Sequence, residues 1–266
     1  MSVVRLMRAL IIYGASSTAL VLSIFTISAR ATGYYNLGNF WKNNWNNFCD
    51  SGNVQGTCVI TTTKNVAPGL IVTGMGNLTI QSGGNVTTAV ASDAFGLHFS
   101  GKITVMSGGA ISGNAQITAG QLDVQAGGQI TGVGKGYDGG AAGQGVGDGP
   151  GGGGGNNVNA GGGGAHAGDG GYGSYNNSPI SPGGTGYGGI TRPITRGSGG
   201  GGSNWSVGAK GGGALRIAVV DVATVAGTIN VNGSVASAQV GGGGAGGSIW
   251  MEVGTLEGAG SITANG

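Results

Sequence analysis

Charge is scarce in this 266-residue chain: 8% of residues are Asp, Glu, Lys or Arg, about a third of the usual ~25%. A disordered, solvated chain normally relies on charge, so this composition points to a packed or associating protein. No Lys/Arg cluster is present after the first thirty residues, which excludes nucleic acid and anionic-membrane binding by electrostatic attraction. The two histidines, His98 and His166, lack ligand spacing to the two cysteines, Cys49 and Cys58, so no zinc site is expected. Glycine runs such as 151–155 lack the Lys-Ser/Thr ending of a phosphate-binding loop. The run Val133–Ala141 is a single defective copy of a calcium-binding nonapeptide, with Val133 and Gly140 at the wrong places. No metal and no cofactor are therefore expected.

What the chain has instead is glycine, 66 residues of it. Thirty-six of these fall between Gly132 and Gly213, with strand-like repeats on either side.

Residues 1–31 read as a secretory signal peptide: Arg5 and Arg8 precede an apolar stretch from Ala9 to Ile27, and Ala29-Arg30-Ala31 supplies small residues before a cut at Thr32. An uncleaved membrane anchor is the competing reading of this stretch, and it would be the chain's one membrane contact. Cleavage would leave eight Lys/Arg against nine Asp/Glu. Secretion also favours a Cys49–Cys58 disulfide, which closes a short loop.

Residues 32–58 form the next unit. Tyr34, Tyr35, Phe40, Trp41, Trp45 and Phe48 are interleaved with six asparagines. The plainest role is a cap over the end of a repeat stack. The functional alternative is glycan contact by Tyr34, Tyr35, Phe40, Trp41 and Trp45, with rings stacking on sugar faces.

Residues 59–131 repeat. Gly76-Asn-Leu-Thr-Ile-Gln-Ser-Gly-Gly, Gly101-Lys-Ile-Thr-Val-Met-Ser-Gly-Gly and Gly120-Gln-Leu-Asp-Val-Gln-Ala-Gly-Gly align without gaps. Alternate aliphatics give a strand one inward face, and the glycine pair then turns the chain. Starts 25 and 19 residues apart approximate one circuit of a parallel β-helix. Residues 214–266 carry the same Gly-x-aliphatic-x-aliphatic pattern from Gly213 and Gly227, with an alternating strand after Gly247. A further coil is expected to start at Gly260, which implies a continuation or a partner at that end.

Residues 132–213 leave two outcomes open. The segment is either a flexible surface insertion or a bundle of closely spaced extended strands. Between Gly134 and Gly173, every third position from Gly134 is richer in glycine than the two other registers. That is the period of polyproline II helices packed side by side. The fold class expected is all-β: a right-handed parallel β-helix with a glycine-rich insertion of polyproline II type.

Residues for chemistry are few. Asp138, Asp148 and Asp169 adjoin glycines as turn residues do, and Asp123 replaces Thr79 and Thr104 of the repeat. His166 could pair with Asp169 as base and orienter, yet no nucleophile turn lies nearby. N-glycosylation acceptor sequences start at Asn77, Asn85, Asn176, Asn204 and Asn232.

The runs Gly161–Gly171, Gly211–Ile217 and Gly241–Trp250 resemble glycine-rich modules of large secreted or surface proteins, similar to the β-helical stalks of adhesins and to the pectin-lyase-like fold. The resemblance covers about Gly76–Gly266. The charged residue sets of pectate lyases and polygalacturonases have no counterparts on these coils. The resemblance implies a secreted or cell-surface scaffold, structural or adhesive and without enzymatic turnover, meeting glycans or cell-surface proteins and able to self-associate end to end. Two alternatives stay open: a polysaccharide lyase or hydrolase using Asp123, Asp138 or Asp169 with His166 or Arg216, and an ice- or crystal-binding surface on threonine ladders such as Thr61, Thr62 and Thr63.

Overall fold

Wherever aliphatic and polar residues alternate, the chain forms strands that fall into two large sheets, and a third, two-stranded antiparallel sheet of β11 (Gly173–Tyr175) and β12 (Ser178–Ser181) lies in the glycine segment. The computed structural model describes residues 48–266 apart from 91, 157–159, 177 and 238–239. The signal segment and Tyr34, Tyr35, Phe40, Trp41 and Trp45 lie outside the described residues. The described part is all-β, without a helix.

The first sheet runs β1 (Ser51–Gly52), β2 (Thr57–Ile60), β5 (Asn77–Ile80), β7 (Ala94–Val105), β9 (Asn114–Val124), β13 (Ala214–Val225) and β15 (Ser248–Glu257), with β4 (Ile71–Gly74) also on β7. The second runs β3 (Thr63–Asn65), β6 (Asn85–Thr87), β8 (Ala110–Ser112), β10 (Gln129–Thr131), β14 (Thr228–Asn230) and β16 (Ser261–Thr263). In both sheets every pairing except β1 with β2 is parallel. The chain visits the two sheets in turn, so each passage stacks on the one before.

Register then lines up the inward side chains in columns. Cys58, Leu78, Ile103, Leu122 and Ala223 follow one another across the first sheet, as do Ile60, Ile80, Val105, Val124 and Val225. Val86, Ile111, Ile130 and Ile229 form the facing column on the second sheet. All of these are buried, and each large aliphatic contributes about 1.5–3 kcal/mol by leaving water.

The glycine pairs between the sheets divide their work. Gly83, Gly108 and Gly127 have φ of +83°, +75° and +82°, a left-handed turn that other residues adopt at a cost. Their partners Gly84, Gly109 and Gly128 have ordinary φ, but a Cβ there would lie 2.4, 2.5 and 2.4 Å from a carbonyl oxygen of the preceding passage.

Two expectations are corrected. The middle strands of the first sheet are longer than the repeat template, because a second alternating run (Phe95, Leu97, Phe99; Ala115, Ile117, Ala119) precedes it in the same strand. The C-terminal assignments are also out of register. Ile217 pairs with Ile117 of that earlier run, and Ala223 and Val225 take the template places. Gly227 and Gly260 open strands of the second sheet, with Ile229 on Ile130 and Ile262 on Ile229. A Gly-x-aliphatic signature serves both sheets, so it does not by itself distinguish them.

The glycine segment leaves the stack after β10 and returns at β13, yet β13 pairs directly with β9. The stack is thus continuous across an 82-residue excursion. Its described residues are tied together by backbone hydrogen bonds. Along residues 197–203, N–H groups 197, 200 and 203 donate to oxygens 212, 209 and 206; 198 and 201 to 165 and 162; 199 and 202 to 148 and 145. The carbonyls of 197, 200 and 203 accept from N–H 137, 140 and 143; those of 198 and 201 from 245 and 242; those of 199 and 202 from 153 and 156. One buried segment therefore has six neighbours, reached in rotation with a period of three residues. Every one of its N–H and C=O groups is paired, as a buried backbone requires. The packing is so close that a Cβ on Gly199, Gly200, Gly201 or Gly202 would lie 1.9–2.2 Å from a neighbouring oxygen.

Candidate functional site

The disulfide forms as spacing suggested: Cys49 and Cys58 are joined, their Cα atoms 5.2 Å apart. Such a bond persists in oxidising, typically extracellular, surroundings. Beside it, Asp50 accepts from Lys64 Nζ at 2.5 Å, from the Thr61 and Thr62 N–H groups at 2.7 and 2.9 Å, and from both threonine hydroxyls. The Lys64 bond, followed by these amides, holds the Asp50 carboxyl well below the usual carboxylate range. The Thr61 and Thr62 hydroxyls thus serve the loop that the disulfide closes.

The titratable residues singled out for hydrolysis go to separate structural tasks. Asp123 pairs with Lys102 across the sheet at 2.9 Å, and Asp138 with Lys210 at 2.6 Å. The Asp169 carboxylate accepts the Gly186 N–H at 2.7 Å. Arg216 binds Glu252 at 3.1 Å and lies 4.6 Å from the Trp250 ring, with Arg192 5.4 Å from the same ring.

His166 is buried where the bundle meets β15. Its Nε2 lies 2.8 Å from Thr195 Oγ1 and 3.4 Å from Ser248 Oγ, and Tyr187 meets its ring edge-on. Ser248 Oγ donates to the Thr195 carbonyl at 2.6 Å. Burial lowers the His166 pKa, opposed by the Thr195 backbone. Its ring joins the bundle to the stack, and Asp169 is engaged elsewhere. Among the described residues, no group of three or more His, Cys, Asp or Glu could hold a metal ion.

The acceptor asparagines divide by setting. Asn77, Asn85 and Asn232 use their side-chain oxygens on Lys102 N–H, Ser112 Oγ and Asn265 N–H. Asn176 and Asn204 stand in exposed turns of the bundle. Sequence reasoning passed over the exposed aromatics in that segment, Tyr172 (71%), Tyr175 (44%) and Trp205 (77%). The available signal was large aromatic residues isolated among glycines, where no side-chain core exists to bury them. Comparison with protein-family models, with curated proteins and with solved structures found no match.

Proposed function

We propose that this chain is a secreted or cell-surface scaffold: a right-handed parallel β-helix carrying a bundle of polyproline II-type glycine strands, which displays polar surfaces to glycans or neighbouring proteins without chemical turnover. The observation that carries this reading is the six-neighbour segment 197–203. A platform fixed by its own backbone depends little on the side chains of its connecting turns, which suits surface display. Repeated weak contacts on such a surface would add through multivalency. The disulfide supports an extracellular setting.

The chain expressed with its own leader is expected in the medium, starting at Thr32, and the purified protein is expected to adhere to glycan-bearing cells or to an immobilised surface protein. Intracellular retention, or adherence no greater than that of an unrelated secreted protein, would count against the proposal. Incubation with a polyuronate and plant-polysaccharide panel addresses the enzymatic alternative: release of sugars would replace the scaffold reading. β15 and β16 each pair on one side, leaving Leu256 and Ile262 exposed. This supports end-to-end contact between copies, for which sedimentation should show a mass that rises with concentration.

A further inference from the structure

Charge is sparse in this chain, and the fold does not treat its cations alike. Among the described residues, Lys64, Lys102 and Lys210 each pair with an aspartate of their own, Asp50, Asp123 and Asp138. The three arginines after residue 30 are Arg192, Arg196 and Arg216, and they share a single carboxylate. Arg216 projects from β13 and binds Glu252 at 3.1 Å, with its guanidinium 4.6 Å from the centre of the Trp250 ring. Arg192 reaches the same ring from the bundle, 5.4 Å from its centre. Neither Arg192 nor Arg196 lies within ion-pair distance of a described carboxylate.

Strand register sets these groups on one face. Trp250, Arg216 and Gln116 follow one another across β15, β13 and β9, and Glu252, Ala218, Thr118 and His98 form the next row. Their chain neighbours Leu215, Ile217, Ala115 and Ile117 are buried in the core, so both rows face away from it. Arg196 borders the first row. Its Nη1 donates at 2.9 Å to the Ser92 carbonyl, which also accepts at 3.1 Å from Asn114 Nδ2, two residues before Gln116, and its guanidinium stacks 4.4 Å from the Tyr137 ring centre. Lys135, whose carbonyl accepts from the same Asn114 amide at 2.9 Å, is a further cation without a described ion pair. On the two rows Glu252 is the one carboxylate, and Asp93, beside Ser92, forms no described ion pair. The Arg216 Nε is buried without a hydrogen-bond partner, an unmet donor that costs free energy.

We infer that this arginine-edged face of the first sheet is a binding surface for an acidic glycan bearing carboxylate or sulfate groups, an assignment that rests on the proposed display function. A guanidinium presents donors in a planar fork that matches the oxygens of a carboxylate or sulfate. Stacking on Trp250 and Tyr137 orients three such forks before a ligand arrives, which lowers the entropy lost on binding. The exposed Gln116, beside Arg216 in register, offers an amide to sugar hydroxyls. Nucleic acid fits less well. Its phosphates carry a charge about every 1.7 Å, and these few cations make no long track. They also come from separate segments of the chain, so no run of basic residues marks the face in the sequence.

The test is titration of the full secreted chain with polygalacturonate and with chondroitin sulfate, beside uncharged dextran and single-stranded RNA. Expected is binding to at least one acidic polymer, about tenfold or more tighter than to dextran and weakened about tenfold or more between about 0.05 and 0.5 M salt. Preference for the carboxylate or the sulfate polymer identifies the anionic group, and either result supports the site. Arg192→Gln, at an exposed side chain, should weaken binding about tenfold at an unchanged melting temperature. Lys210→Gln, whose ammonium is held by Asp138, should change it less than about twofold. Glu252→Gln removes the carboxylate that competes for Arg216 and should tighten binding about threefold, a gain that a purely structural cluster would not produce. Binding unchanged by both Arg192→Gln and Glu252→Gln overturns the site, and RNA bound as tightly as the acidic glycans overturns the ligand class. Failure to bind either acidic polymer at low salt overturns the inference, while adherence to neutral glycans or proteins would leave the display function standing. Failure to adhere to any surface removes that reading as well.

Discussion

The stack and the bundle solve the same problem, a water-free interior, with opposite materials. In the stack, Leu78, Ile103, Leu122 and Ala223 occupy one column, so apolar character matters there more than residue identity. In the bundle, positions 199–202 are all glycine, and the interior is made of amides whose bonds net about 0.5–1.5 kcal/mol each. Fixing a glycine costs roughly 0.5–1 kcal/mol more than fixing alanine, so such an interior holds only while all its bonds are made. The comparison teaches that one chain can have a core tolerant of side-chain exchange and another that, at Gly199–Gly202, has no room for a Cβ.

Substitution at Gly201, in the middle of the six-neighbour segment, should break the bundle severely, because its Cβ would lie 2.0 Å from the Gly154 oxygen. Gly201→Ala is expected to lose more than the ~1–3 kcal/mol typical of overpacking, with amide exchange rising in 134–213 while the β7 and β9 amides stay protected. Gly243, where a Cβ meets nothing within 4 Å, is the control, and Gly243→Ala should melt as the parent does. Equal melting of the two variants would mean that the bundle has no close-packed interior.

The stack should respond to the loss of side chain rather than to its gain. Ile117 is fully buried, and Ile117→Ala is expected to lower stability by about 2–5 kcal/mol in denaturant titration, while Ile117→Val costs about 0.5–1.5 kcal/mol. A graded response here beside an abrupt one at Gly201 is the sharpest form of the contrast. Removing the disulfide with Cys49→Ala and Cys58→Ala should cost about 2–3 kcal/mol, with exchange concentrated in residues 48–62.

These differences explain what could be read from the sequence. The columns through Leu78, Ile103 and Leu122 were legible because alternation and burial share a period of two, and the turn glycines because a left-handed φ selects glycine at a fixed offset. The long strands were half hidden: Phe95-Gly-Leu97-His-Phe99 alternates too, but it has no glycine pair to mark it. The three-residue period was faint for a physical reason. Each turn resets the phase, so a count running from Gly134 to Gly173 sums over several strands. A strand with six neighbours also needs glycine on every side, as at 199–202, which erases the period where the packing is tightest.

The smallest effect concerns protons, and each region carries one histidine. His98 lies in β7 between Thr73 and Thr118, and His166 lies at the bundle's junction with β15. Burial lowers both pKa values from the ordinary value near 6.5, so the folded protein favours the neutral rings. The unfolded chain takes up protons first as pH falls past about 6.5. Stability is therefore fully present above that value and declines as pH drops towards the lowered folded values. Melting temperature should fall between about pH 7.5 and pH 5, above the range in which carboxylates titrate. His98→Gln should remove the share of that slope seen by exchange in β7, and His166→Gln the share seen in 160–200. A slope unchanged by either variant would mean that the stack and the bundle do not each hold a neutral histidine.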